Sequence, residues 1–166
     1  MAISDAMGWL DYHLHGFRVP LGSLRNILDI GIPDAMDEFS SRPGWEVTLD
    51  ECFQVPGQGA EYEYDFGDSW LHDVLLEGVL LKEKGVKYPR CLGGARACPP
   101  EDCGGVDGYL ELIEILRDPQ HAKYASRVRW LQSHAKNYFP FDPEAFDPDA
   151  VRFRDPQKHL KRFLSQ

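Results

Sequence analysis

The clearest patterning in the chain is the alternation across residues 61–66, where Tyr62, Tyr64 and Phe66 fall on one side of an extended segment. A period of two marks a strand with one buried face. Gly67-Asp68 supplies a tight turn, and residues 70–81 are again extended in character, so the two segments are expected to pair as an antiparallel hairpin with Trp70 mostly buried. Residues 12–19, rich in aromatic and branched side chains and ended by Pro20, predict another strand, on which His13, His15 and Phe17 share a face. Residues 45–49 read as a short strand and 52–59 as a turn-rich connector. Residues 20–44 have a poor pattern, with a short helix at 24–30 the best local reading.

Helical periodicity belongs to the two ends of the chain. Residues 1–7 can make about two turns before Gly8. Asp107 can cap a helix running to about Arg117, with Leu110, Ile113 and either Leu112 or Leu116 as its apolar stripe. A second helix is expected at 123–135, and Asp142-Pro143 and Asp147-Pro148 suit the starts of short helices. Residues 88–105 keep neither period and must be a structured loop. Strands come first and helices later, which is an α+β arrangement.

Composition narrows the class. A chain of 166 residues is expected to be one domain, residues 1–166, able to bury roughly 70% of its unfolded surface without metals or disulfides. With 27 acidic against 18 basic side chains the net charge is −9, which repels phosphate backbones and anionic lipid. Nucleic acid is therefore not expected as a partner, except through the basic segment 151–166 with Arg152, Arg154, Lys158, Lys161 and Arg162 beside Phe153, Leu160 and Phe163; an amphipathic helix with a solvated basic face is the commoner meaning. No stretch reaches the ~18 apolar residues of a spanning helix and no basic-then-apolar leader opens the chain, so a cytoplasmic protein without membrane partners is expected. The four cysteines are then expected to stay reduced.

Three groups of residues could carry chemistry. The string Tyr62-Glu-Tyr-Asp-Phe-Gly-Asp-Ser-Trp-Leu-His72 crowds Asp65, Asp68 and His72 around a turn, and His13 and His15 stand two residues apart on a strand; together they could bind a divalent ion or move protons. The bland reading is that Asp68 satisfies turn amides, Trp70 fills the core and each histidine makes a structural hydrogen bond. Cys91, Cys98 and Cys103 follow a C-x6-C-x4-C spacing that could converge on zinc with His72, His121 or Asp102 as fourth ligand. Against zinc, prolines and the Glu101 and Asp102 carboxylates can order such a loop while the thiols merely pack. No CxxC, phosphate-binding glycine loop or nucleophile elbow is present, and the Asp-Phe-Gly triplet lacks the other kinase elements.

Taken together, Ala6-Met-Gly-Trp-Leu-Asp-Tyr-His-Leu-His-Gly-Phe17, the string from Tyr62 to His72 and the string from Tyr88 to Tyr109 resemble the plasmid pRiA4b ORF-3-like proteins. Asp118-Pro-Gln-His121 and Phe141-Asp-Pro-Glu-Ala-Phe-Asp147 extend the likeness. The resemblance implies a mostly antiparallel sheet with helices packed on one side, an MM3350-like α+β fold, and an association with mobile elements. It also implies a strand ahead of the position matched by Ala6, which this chain is expected to lack. Some relatives carry a resolvase-like label, but the serine recombinase core and basic DNA-binding module such a label requires cannot be read here. Two functions remain in view. One is a non-enzymatic binding or regulatory module, acting on a protein partner or by self-association, with the aromatic turn and a cysteine loop supported by zinc as its surface. The other is a metal-dependent hydrolase using His13, His15, Asp65, Asp68 and His72.

Overall fold

The alternation around Tyr62 becomes a central strand in the computed structural model of the chain, which describes residues 1–22, 26–33 and 41–165. Two compact units are formed: a strand unit, His13–Val86, and a helical unit, Met1–Tyr12 with Lys87–Gln166.

The strand unit contains β1 (His15–Pro20), β2 (Ile27–Gly31), β3 (Arg42–Pro43), β4 (Gly59–Tyr64) and β5 (Trp70–Leu75), in the spatial order β3-β2-β1-β4-β5. Every pairing is antiparallel except that of β2 with β3. Register sets the site: Tyr62 lies opposite Phe17 on one side and His72 on the other, and Tyr64 lies opposite His15 and Trp70. Because side chains alternate, His15, Phe17, Val19, Tyr62, Tyr64, Trp70 and His72 share one face. At the aliphatic end of that face Val19, Ile30 and Ala60 form a core with Cys52, joined by Val47 and Phe53.

The expected hairpin forms, with differences at its edges. β5 stops at Leu75 and does not run to residue 81, and Trp70 is only half-buried. The connection is not a Gly67-Asp68 turn but a five-residue loop, 65–69, entered and left through Asp65 and Ser69 with φ of 58° and 52°. The helix expected at 24–30 is corrected: residues 27–31 are β2, and 23–25 lie outside the described residues. The strand expected at 45–49 is also absent. A turn there leads into a short helix α2 (Leu49–Cys52), nucleated by a capping box in which Thr48 and Glu51 satisfy each other's backbone amides.

In the helical unit, α1 (Ala2–Met7) ends on Gly8, whose left-handed φ of 80° lets the chain reverse with its N–H on Asp5 O. The helices α3 (Gly105–Arg117) and α4 (Tyr124–Ser133) pack together, burying Leu112, Ile115 and Leu131. The buried stripe of α3 is thus rotated from the expected one, leaving Leu110 exposed. Nor does Asp107 cap α3, which begins two residues earlier after Gly104. Gly108 is required in its first turn, because a Cβ there would lie 2.0 Å from Cys103 O.

Of the two proline starts, Asp142-Pro143 gives only a turn and Asp147-Pro148 a single 3-10 turn (Pro148–Ala150) held by Asp147. A last helix, α5 (Pro156–Leu164), carries the basic segment. Arg154 ahead of it donates from its main-chain N–H to Asp5 Oδ2 (2.9 Å), and its guanidinium reaches Asp5 and Asp11. Part of the C-terminal positive charge therefore neutralises buried carboxylates of the same unit. No helix among the described residues is long and apolar enough to cross a membrane.

Candidate functional site

Tyr62 is the centre of the strand unit's aromatic face. Its ring is fully buried and is flanked by Phe17 at 4.7 Å, His72 at 5.5 Å and His15 at 5.7 Å between centroids. His72 donates from Nδ1 to Tyr62 O at 3.3 Å, a bond that holds the imidazole against the sheet. Since His15 is on β1 and His72 on β5, with β4 between them, their backbones are about two strand spacings apart, roughly 9.5 Å.

His13 lies in a bend before β1, not on the strand, yet it still joins the face His15 uses by meeting the Tyr64 ring edge-on at 5.9 Å. Its Nε2 is 3.6 Å from Asp65 Oδ2. Asp65 is fixed by the loop it opens. Oδ1 accepts the N–H groups of Gly67 (3.0 Å) and Asp68 (3.3 Å), its carbonyl accepts Ser69 N–H, and its own N–H goes to Leu14 O. Asp68 contributes that loop amide. Of the five residues expected to surround a metal, the strand unit thus pairs His13 with Asp65 and sets His15 and His72 on opposite sides of Tyr62.

The cysteine loop belongs to the helical unit. All four cysteines are free thiols. Among the described residues Cys91, Cys98 and Cys103 do not bring their three sulfurs within 4.8 Å of one another. Cys91 donates to Gly93 O, whereas Cys98 and Cys103 are near Tyr109, whose hydroxyl pKa burial pushes up. Burial likewise pushes the Cys98 thiol well above its ordinary range, which makes it a poor thiolate. His72, proposed as fourth ligand, is in the strand unit. The same helical unit holds a second His–Asp pair, His134 Nε2 to Asp102 Oδ2 at 3.7 Å.

The feature sequence reasoning missed is the outer edge of β5. Among the described residues β5 ends the sheet. Leu76 N–H bonds Gln58 O, which continues the ladder through the pairs 74–60, 72–62 and 70–64. By antiparallel alternation the main-chain groups of Leu71, Asp73 and Leu75 point away from β4. Leu71 and Leu75 are each 58% exposed, and Phe66 at the loop is 56% exposed. The alternation within residues 70–75 was visible beforehand, but both of its halves contain apolar side chains, so the pattern did not say which half faces out.

The five-stranded, mostly antiparallel sheet with separate helices defines an α+β protein. The chain belongs to the plasmid pRiA4b ORF-3-like protein family, whose model matches residues 1–150. It is 37% identical over 134 residues to the uncharacterized protein y4hQ of Sinorhizobium fredii (strain NBRC 101917 / NGR234), a match covering 79% of this chain and 64% of that protein. The chain therefore spans less than two thirds of that relative's length. Among solved structures it is similar to the protein of unknown function MM3350 from Methanosarcina mazei Go1, with a TM-score of 0.77, 39% identity and coverage of 92% of this chain and 80% of that one.

Proposed function

We propose that the chain is a non-enzymatic binding module that takes an extended segment of a partner protein as an added strand on the outer edge of β5. One observation carries this reading: outward main-chain groups at residues 71, 73 and 75 coincide with exposed Leu71 and Leu75. Strand addition draws affinity from main-chain hydrogen bonds and selectivity from alternate side chains. Asp73 stands between the two leucines, and Glu61 and Glu63 stand on the same face of β4, so the matching segment alternates apolar with basic residues. A second copy of the chain is a poorer occupant. Antiparallel pairing of β5 with itself about Asp73 would place two aspartates face to face, between bodies that each carry a charge of −9.

Calorimetric titration with a synthetic peptide of alternating valine and lysine tests the reading. The lysine peptide is expected to bind about tenfold or more tightly than its valine–glutamate counterpart, and Asp73→Lys to reverse that order. Equal affinity for both peptides, binding of neither, or a dimer in sedimentation that Asp73→Lys abolishes would overturn it.

A further inference from the structure

We propose that the helical unit holds a separate site for a small organic cation with an apolar body, in the cleft between the Trp9 segment and residues 136–147. The cleft has a volume of about 380 Å³, within the range of small-molecule sites, and all its lining residues belong to this one unit. Trp9, Tyr138, Phe141 and Phe146 supply aromatic rings, and Asp142 and Asp147 supply carboxylates. Aromatic faces attract cations, most strongly where water is excluded.

The cleft already stabilises an ammonium group of its own. Lys136 Nζ lies 5.3 Å from the Tyr138 ring centroid and donates to Gly8 O. That arrangement shows which sign of charge the aromatic wall favours, and Asp142 and Asp147 are the carboxylates among the lining residues. Oδ1 of Asp142 accepts Glu144 N–H (3.0 Å) and Oδ1 of Asp147 accepts Asp149 N–H (2.9 Å), so each turn fixes its carboxylate. Among the described residues neither Oδ2 takes part in a hydrogen bond or ion pair. Two carboxylates against one tethered ammonium make the cleft net negative, which disfavours an anion. A neutral ligand would gain only the apolar contact.

Gly94 sets the shape of one wall. A Cβ there would lie 2.6 Å from Phe146 Cε1, so the Phe146 ring rests directly on the glycine backbone. Any larger residue pushes the ring away and reshapes the cleft. The glycine therefore acts on ligand shape, and the two aspartates act on ligand charge.

The test compares three probes of one ring system in the full chain: tryptamine (cationic), tryptophol (neutral) and indole-3-acetate (anionic), followed by NMR shifts of the Trp9 and Phe146 resonances. Tryptamine is expected to bind about tenfold more tightly than tryptophol, with indole-3-acetate weakest. Asn retains the Oδ1 acceptor of each turn, so the double variant Asp142→Asn, Asp147→Asn should fold and bring tryptamine down to the tryptophol level while leaving tryptophol unchanged. Gly94→Ala should weaken tryptamine and tryptophol alike. Equal binding of the three probes, shifts that map outside the cleft, or no shift at millimolar probe would overturn the proposal. None of these outcomes bears on β5, which lies in the other unit.

Discussion

Each unit holds a histidine beside an aspartate, and the two pairs are built in opposite ways. In the strand unit the carboxylate is the buried partner: the Asp65 side chain is 12% exposed and His13 27%. In the helical unit the imidazole is buried: the His134 side chain is 11% exposed and Asp102 55%. Both aspartates have φ of 58°, a left-handed conformation that Asp tolerates better than most residues.

Asp65 uses one oxygen on turn amides and so closes the hairpin loop, with His13 as an addition to a carboxylate already fixed. His134 instead ends α4, sits between the Trp130 and Tyr138 rings, and accepts Lys136 N–H at Nδ1, which puts its proton on Nε2 towards Asp102. A His–Asp pair is therefore not a functional site by composition alone. Which partner is buried, and what holds it, decides whether the pair organises backbone or packs an aromatic cluster.

The largest expected effect concerns one tyrosine of each unit, Tyr62 at the centre of the sheet and Tyr138 beside His134. Tyr62→Ala removes a fully buried ring and should cost about 3–5 kcal/mol in chemical denaturation, whereas Tyr138→Phe, which removes only the hydroxyl that accepts Glu101 N–H at 3.3 Å, should cost about 1 kcal/mol. Similar losses for the two variants would erase the contrast between a sheet core and a packed loop. Next, Arg154→Ala strands Asp5 and Asp11 in the helical unit. A buried pair broken in this way costs about 3–5 kcal/mol, and the partial exposure of Arg154 reduces the expected loss to about 2–3 kcal/mol. Arg18→Ala, whose ion pairs are exposed, should change stability by less than about 0.5 kcal/mol.

The aspartates themselves test the contrast most narrowly. Asp65→Ala loses two loop amide bonds at a left-handed position and should cost about 2 kcal/mol, while Asp102→Ala shares the left-handed strain but removes a more exposed carboxylate and should cost about 1 kcal/mol. Equal costs would mean that the exposed carboxylate also organises its loop.

The smallest effect is in pH and salt. Glu51 is held below the ordinary glutamate range first by the Thr48 backbone amide, and Glu111 first by its hydrogen bond with Lys123. A lowered folded-state pKa contributes stability that is present above the unfolded value and is lost as pH falls through the folded one. Acid titration of the melting temperature should therefore lose both contributions below the usual glutamate range. Added salt at neutral pH should weaken the Glu111 contribution more than that of Glu51, which pairs with Arg42 at 3.0 Å but is held first by a backbone amide.

The hairpin, α1 and the α+β order were legible because alternation and Gly8 are local signals that tertiary packing reinforced. β2 was not: Ile-Leu-Asp-Ile-Gly is short and mostly apolar, and such a run reads equally as helix or strand until its partner is known. The α2 error had a remedy in the sequence, since Thr48-Leu-Asp-Glu51 is a capping box that outweighs the strand character of Trp45 and Val47. Among candidate site residues, the meeting of His13 and Asp65 depended on the bend before β1 and the left-handed turn at Asp65, neither of which has a periodic signature. The outer edge of β5 required sheet order, which is set by non-local pairing of β1 with β4 rather than by any local pattern.

Amide-resolved NMR of the chain titrated with the alternating valine–lysine peptide tests the proposed edge most directly. The amides of Leu71, Asp73 and Leu75 are expected to shift and gain protection from hydrogen exchange, while those of Trp70, His72 and Val74, which face β4, keep the protection they have without peptide. Shifts spread over acidic residues of both units, with no new protection at residues 71, 73 and 75, would contradict it.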